Sequence, residues 1–160
     1  MPDLALAPAY CLRPATAGDS DALYALHIAC LKEYVAATWG WDDAIQQRMF
    51  RDQFAPERSE IVIVDGQIGG VIAVERRADD WFVANLAIDP ALQGRGVGTT
   101  LLRATLTSAA RDGVPTRLQV LRVNPARQLY ERLGFVIENE TPTHYQMVAR
   151  GTASREGDER

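Results

Sequence analysis

The chain is poor in lysine, cysteine and histidine. Lys32 is the only lysine among its 160 residues, so nearly all positive charge is arginine. No Gly-Lys-Ser or Gly-Lys-Thr run occurs. That excludes a P-loop, whose lysine must reach the terminal phosphates. The two cysteines, Cys11 and Cys30, carry neither metal-site nor redox spacing. They read as core thiols in a reducing cytosol, and no metal is expected. There is no Gly-x-Ser-x-Gly elbow, and only His27 and His144 would serve a hydrolase as imidazole base. The net charge of −4 lacks the basic footprint of a general nucleic-acid binder. The start, Met1-Pro2-Asp3, has no basic leader, and Pro8 interrupts its short apolar stretch. The expectation is a cytoplasmic chain with neither a secretory signal nor a membrane span.

What is present is enough apolar residue, 47%, for one compact domain over residues 1–150. Residues 151–160 are polar and aperiodic, which predicts a loose tail. Tyr10 to Arg13 reads as a strand. Thr16 and Asp19 read as a capping box, ahead of a helix with Leu23, Leu26, His27, Cys30, Leu31 and Tyr34 on one face. A loop at Trp39-Gly40-Trp41 and a helix from Asp42 to Phe54 follow. Glu60 to Val64 and Gln67 to Glu75 form a hairpin through Asp65-Gly66. Trp81 to Ile88 is the next strand. A helix over Gly98 to Arg111, a strand over Thr116 to Val123 and a helix over Pro125 to Leu133 come next. Strands near Phe135 to Glu138 and His144 to Val148 close the order.

Two runs carry chemistry. The first is Gln93-Gly94-Arg95-Gly96-Val97-Gly98, between the Trp81 strand and a long helix with Leu101, Leu102, Leu106 and Ala109 in its apolar stripe. Glycines let backbone N–H groups turn inward as a nest, and the helix adds its positive end. A phosphate or diphosphate suits that loop, with Arg95 as a planar donor fork. An ordinary glycine-rich turn between strand and helix would give the same run. A dinucleotide fingerprint fits poorly, because the run reads G-x-G-x-G and lies past mid-chain. The second run is Asn124-Pro125 through Tyr130 to Gly134-Phe135. Asn124 suits an N-cap, Pro125 a first helical position and Gly134 a helix end.

In that order, Leu86-Ala87-Ile88-Asp89-Pro90, Gln93 to Gly98, Asn124, Tyr130 and Gly134-Phe135 resemble the GNAT superfamily of acetyl-CoA-dependent N-acetyltransferases. The resemblance spans residues 9–149 in element order and is specific from Phe82 to Phe135. It implies an α/β fold (an α+β mixed sheet). The central sheet would be mostly antiparallel, with splayed middle strands flanked by about four helices. It implies acetyl-CoA as cofactor. Ala87 and Ile88 would pair with the pantetheine arm as an added strand does. Gln93, Gly94, Arg95, Gly96, Val97, Gly98 and Thr99 would cradle the diphosphate. Asn124 would reach the pantetheine arm or hold the strand, or serve as a plain cap. The partners implied are acetyl-CoA and an amine acceptor, and a homodimer through late strands is allowed.

The resemblance makes Tyr130 the group that gives a proton to the leaving sulfur, with a backbone N–H near Ile88 for the oxyanion. A core tyrosine on a helix face is the plain alternative. Relatives often carry a glutamate on the strand before the glycine loop, but Trp81-Phe82-Val83-Ala84-Asn85 has no carboxylate. Asn85 would position a water, and Asp42, His144 and Glu33 remain as bases. Tyr34, Trp39, Trp41 and Asp42 would wall the acceptor pocket, by contact between a cation and the aromatic faces. Both tryptophans would equally serve as core pegs, and Asp42 as a helix start. Two function classes stay open: an enzyme acetylating a primary amine of a small molecule, peptide or protein, and a catalytically silent acyl-CoA-binding sensor or partner domain.

Overall fold

The computed structural model describes residues 8–151. The tail expected at 151–160 therefore lies, past Gly151, outside the described residues. Seven strands and four α-helices follow the order β1(Cys11–Pro14), α1(Ser20–Trp39), α2(Asp43–Gln53), β2(Ser59–Val64), β3(Gln67–Arg76), β4(Trp81–Ile88), α3(Val97–Arg111), β5(Thr116–Leu121), α4(Ala126–Arg132), β6(Val136–Glu140), β7(His144–Ala149). The strands hydrogen-bond in the order β1-β2-β3-β4-β5-β7-β6. The pairs β1–β2, β2–β3, β5–β7 and β6–β7 are antiparallel, and β4–β5 is parallel. No helix among the described residues is long and apolar enough to cross a membrane.

Internal contacts group the chain into two compact units. The first takes in Met1–Ala73, described from residue 8, and Asn85–Gly98. Its core is Ala15, Leu23, Leu26, Ile61, Val71 and Ala87, with Cys30, Phe50, Phe54, Ile63 and Ile68 packed against them. Local chemistry sets its elements. Asp19 accepts the Thr16 N–H at 2.8 Å and both arms of the Arg13 fork at 2.9 Å. This capping box closes a short 3-10 turn, Ala17–Asp19, immediately before α1. The β2–β3 hairpin turns on Asp65 and Gly66, at φ 52° and 77°, between the paired residues Val64 and Gln67. Two positive φ values match the right-handed twist of the strands they join.

Helix α1 runs through Trp39 instead of stopping before it, and Gly40 at φ 83° ends it. This leaves Trp39 60% exposed, so it is not a core peg. Cys11 is exposed as well, which corrects its reading as a core thiol; Cys30 is half-buried. Cys11 opens the edge strand β1, in which Arg13 is the one part-buried residue.

The second unit comprises Val74–Ala84 and Thr99–Arg160, described to residue 151. Buried Leu102, Leu118, Val120, Phe135 and Met147 contribute to its core. Strands β4 and β5 pair only at Trp81↔Thr116 and Phe82↔Arg117. That is a short ladder for strands of eight and six residues. A charged clamp holds the paired end. Arg77 makes two bonds to Asp80, at 2.6 and 2.9 Å, and Arg117 bridges Asp80 and Glu138. The Arg77 hydrogen bonds, more than any other cause, hold the Asp80 carboxyl below its ordinary value.

In the first unit, β4 approaches β3 closely at Gly70. A Cβ there would lie 2.7 Å from the Ala87 carbonyl oxygen and 2.9 Å from Ile88 Cδ1. The backbone contact cannot yield as a flexible side chain would. Gly70→Ala should lose about 1–3 kcal/mol of stability by urea denaturation. An unchanged midpoint would show that the two strands lie farther apart.

Candidate active site

The end of β4 is fixed from two sides. On one side the Asp89 N–H donates to the Gly69 carbonyl in β3 at 2.9 Å. On the other, two side chains converge on the Ile88 carbonyl. The Cys30 thiol donates at 3.1 Å from α1, and the Gln93 amide donates at 2.9 Å from the glycine loop. Strand backbone groups alternate in direction. The Ile88 carbonyl therefore faces away from β3, and its N–H shares that direction. Ala87 faces the other way, its carbonyl turned onto Gly70. Of the two residues that the sequence nominates for backbone pairing, Ile88 presents the outward edge. Burial, more than any other cause, raises the Cys30 pKa, and the Asp89 charge adds to it. The thiol is therefore protonated at neutral pH and able to donate.

The glycine loop follows directly. Gly94 and Gly96 sit at φ 77° and 87°, conformations that other residues reach only with strain. Arg95 between them is exposed, and Val97, 1% exposed, anchors the first turn of α3 in the core. No acidic residue lies in that first turn, so nothing offsets its positive end. Gly98 and Thr99 continue the same turn. This loop geometry suits an anion. The Gln93 side chain is turned to the strand carbonyl, as described above.

In the second unit, the Asn124 Oδ1 accepts the Ala126 N–H at 2.9 Å, a capping bond across Pro125. Tyr130 lies at the other end of α4, where the chain stops in a Schellman turn. Gly134, at φ 96°, gives its N–H to the Glu131 carbonyl, and Phe135 gives its N–H to the Tyr130 carbonyl. Phe135, 2% exposed, also meets the Tyr130 ring edge-on at a centroid distance of 5.9 Å. The Gly-Phe pair thus sets both backbone and ring of Tyr130. Burial pushes the Tyr130 hydroxyl up to about 12. The phenol therefore keeps its proton throughout the neutral range.

The residues expected to wall an acceptor pocket have other engagements. Asp42 caps α2, accepting the Ile45 N–H at 3.0 Å. Trp41 lies 6.2 Å from the His27 ring, and the Lys32 ammonium stands 5.6 Å from its centroid. An internal cation therefore already contacts Trp41. Tyr34 is part-buried, and its backbone carbonyl accepts from the Thr38 hydroxyl. Asn85 is part-buried on β4. His144 starts β7 with Nδ1 2.8 Å from the Thr143 hydroxyl. Burial lowers its pKa, as it does for His27. Both imidazoles are neutral at pH 7. Glu33 is exposed on α1. Among the described residues, no group of three or more His, Cys, Asp or Glu side chains would hold a metal ion.

A family model described as an acetyltransferase (GNAT) domain matches residues 57–137. The chain belongs to the GNAT acetyltransferase family, whose acyl donor is acetyl-CoA. It is similar to a [ribosomal protein bS18]-alanine N-acetyltransferase of Haemophilus influenzae, 33% identical over 96 residues. That match covers 59% of this chain and 64% of the relative, so it spans just under two thirds of the relative's length. In fold it resembles the PaiA N-acetyltransferase of Thermoplasma acidophilum, solved with coenzyme A. The TM-score is 0.73 at 18% identity, over 89% of this chain and 99% of that one. The ribosomal-protein-S18-alanine N-acetyltransferase of Escherichia coli gives a TM-score of 0.66 at 20% identity, over 89% and 94% of the two chains.

Sequence reasoning missed the grip on the Ile88 carbonyl. Periodicity puts Cys30 on the inner face of α1, but nothing in the sequence pairs it with a strand 58 residues away. The Tyr130 environment makes a spectroscopic prediction. In a difference titration near 295 nm, one phenol should ionise at about pH 12 in the folded chain, and Tyr130→Phe should remove it. The folded pKa is raised, so the unfolded chain ionises first, near 10. This contribution to stability is present below pH 10 and is lost as pH rises towards 12. If no phenol of the folded wild type titrates above the ordinary range, the burial argument fails.

Proposed function

We propose that the protein is an N-acetyltransferase. It moves acetyl from acetyl-CoA to a primary amine of a small molecule, peptide or protein by direct attack in a ternary complex. The observation that carries this reading is the Gly94–Gly96 loop with two positive φ values, opening directly into α3. The loop fits the diphosphate of a thioester carrier, because inward-turned amides and a helix start supply positive potential without bulk positive charge. Acetyl-CoA, when bound, supplies a thioester carbonyl for the amine to attack. Gly94, Arg95, Gly96, Val97, Gly98 and Thr99 hold the diphosphate. The outward N–H of Ile88 donates to the carbonyl oxygen as it gains charge. Gln93 and Cys30 keep that strand end in place. Asn124 offers its amide N–H2 group to the pantetheine arm, its oxygen being spent on the helix. Tyr130 donates a hydrogen bond to the departing sulfur. The C–N bond forms as the C–S bond breaks, and the amine's surplus proton leaves to solvent.

No carboxylate stands on the Trp81–Asn85 stretch. The amine therefore enters neutral, or loses its proton through a water held by Asn85 or through the neutral imidazole of His144. A reduced cytoplasm suits the two unpaired thiols. The acceptor wall is assigned to the Tyr34–Asp42 segment as a whole, with Trp39 its most exposed aromatic residue.

Thiol release from acetyl-CoA across an amine panel tests the reading. Turnover should depend on both substrates, and Tyr130→Phe should lower kcat about a hundredfold with little change in acetyl-CoA affinity. Gly96→Val forces a β-branched residue to φ 87°, so acetyl-CoA binding by calorimetry should fall about tenfold or more. Binding without turnover on any amine would point instead to an acyl-CoA sensor. No heat of binding would remove the whole assignment.

A further inference from the structure

The second unit holds a pocket of about 230 Å³ whose lining includes Arg122, Asn124, Arg127, Gln128 and Tyr145. Two of these are cations, and no acid lines the pocket. The guanidinium carbons of Arg122 and Arg127 lie 4.9 and 4.8 Å from the centroid of the same Tyr145 ring. Both cations therefore contact one aromatic ring. The ring quadrupole attracts each cation and orients its plane. Both cations line the same pocket, and an anion bound there would offset their mutual repulsion.

The donors are disposed to receive one. Arg122 Nε is spent on the Thr141 carbonyl at 2.8 Å, and Arg127 Nε faces Glu131 at 3.1 Å. The outer nitrogens are less committed. Arg122 Nη2 stands 3.8 Å from Glu140, beyond hydrogen-bond range. The two arginine side chains keep 39% and 37% of their surface in solvent. Asn124 spends its oxygen on the Ala126 N–H, which leaves its amide as a donor. Glu131 and Glu140 balance charge from outside the lining.

We infer that this pocket binds an anionic group, phosphate or carboxylate, held by the Arg122 and Arg127 side chains that line it. Its charge preference follows from the side chains alone. The source of the anion rests on the acetyl-transfer reading. It is either the ribose 3′-phosphate of the donor or an acidic group on the acceptor.

The experiment has three arms on the full chain, with Arg122→Gln, Arg127→Gln and Arg127→Lys compared with wild type. Arg132→Gln on α4 is a control outside the lining, and thermal midpoints verify folding. In the first arm, inorganic phosphate is titrated while the Nε–Hε signals of Arg122 and Arg127 are followed by NMR. Both should shift, the Arg132 signal should not, and the readout needs no turnover. In the second, wild type should bind coenzyme A about tenfold tighter than 3′-dephospho-coenzyme A if the donor is the source, and the Gln variants should lose that preference. In the third, matched amines with and without a carboxylate should differ about tenfold in KM if the acceptor is the source, again only with both arginines present. Arg127→Lys should retain part of either preference. Phosphate shifts without any coenzyme A binding would support the pocket and sink the transferase reading. Coenzyme A binding with no phosphate shift, and the same ligand preferences in every variant, would overturn the pocket and leave that reading intact.

Discussion

The Ile88 carbonyl is the point on which the end of β4 and the start of the glycine loop depend. A carbonyl at an open strand end ordinarily turns to water and lets the strand fray. Here a thiol from α1 and an amide from the glycine loop both donate to it. Across the strand, the Asp89 N–H is tied to Gly69. With both sides of the strand end held, the direction of the Ile88 N–H is fixed as well. The same Gln93 bond fixes the start of the glycine loop, so one oxygen sets the strand and the loop together. Close packing of β3 on β4 requires Gly70, because a Cβ there would strike the Ala87 oxygen. Recognition of an extended amide arm needs a strand edge that is both unpaired and rigid. In the proposed reading, these contacts supply that rigidity.

The second unit solves a comparable problem at Tyr130. A helix of seven residues is too short to hold a side chain rigidly by its own hydrogen bonds. Its two ends do that work. Asn124 fixes the start, and Gly134 with Phe135 fixes the finish. The buried Phe135 ring packs edge-on against Tyr130, so the residue that stops the helix also orients the phenol. Further along the sheet, the Asp80, Arg77, Arg117 and Glu138 clamp holds β4 and β5 together at one end.

Much of this was legible in the sequence. The Asp65-Gly66 turn, the extent of β4 and the helix after the glycine run follow from local rules, and the structure agrees to within a residue or two. The Thr16–Asp19 box was legible too, although it caps a short 3-10 turn rather than α1 itself. What local rules could not supply was partnership between distant residues. Cys30 looked like a core thiol because periodicity reports a face and not a contact. Trp39 reads as a core peg because aromatics are usually buried, yet α1 runs on through it and leaves it exposed. Asp42 offered charge beside Trp41, and the structure spends that charge on the α2 cap. The Arg122 and Arg127 pair was invisible because the residue that unites them, Tyr145, lies on a later strand.

In the proposed acetyl transfer, the raised Tyr130 pKa decides what this residue contributes chemically. A free thiol loses its proton near about 8.5. A phenol held near 12 is a much weaker acid than that thiol, so outright transfer to a departing thiolate runs uphill. Tyr130 is then better suited to donate a hydrogen bond that strengthens as charge gathers on sulfur, keeping its proton at the end of the step. Such a bond is worth more where water is scarce, and scarcity of water is the same cause that raises the pKa. One environment thus makes Tyr130 a poor acid and a good stabiliser of negative charge. Its hydroxyl also has no protein acceptor among the described residues, so it need not break an internal bond to act. In the proposed reaction the amine, and not the tyrosine, is then the source of the proton that leaves. The absence of a carboxylate on Trp81–Asn85 then bears on the rate of amine deprotonation and leaves sulfur departure untouched.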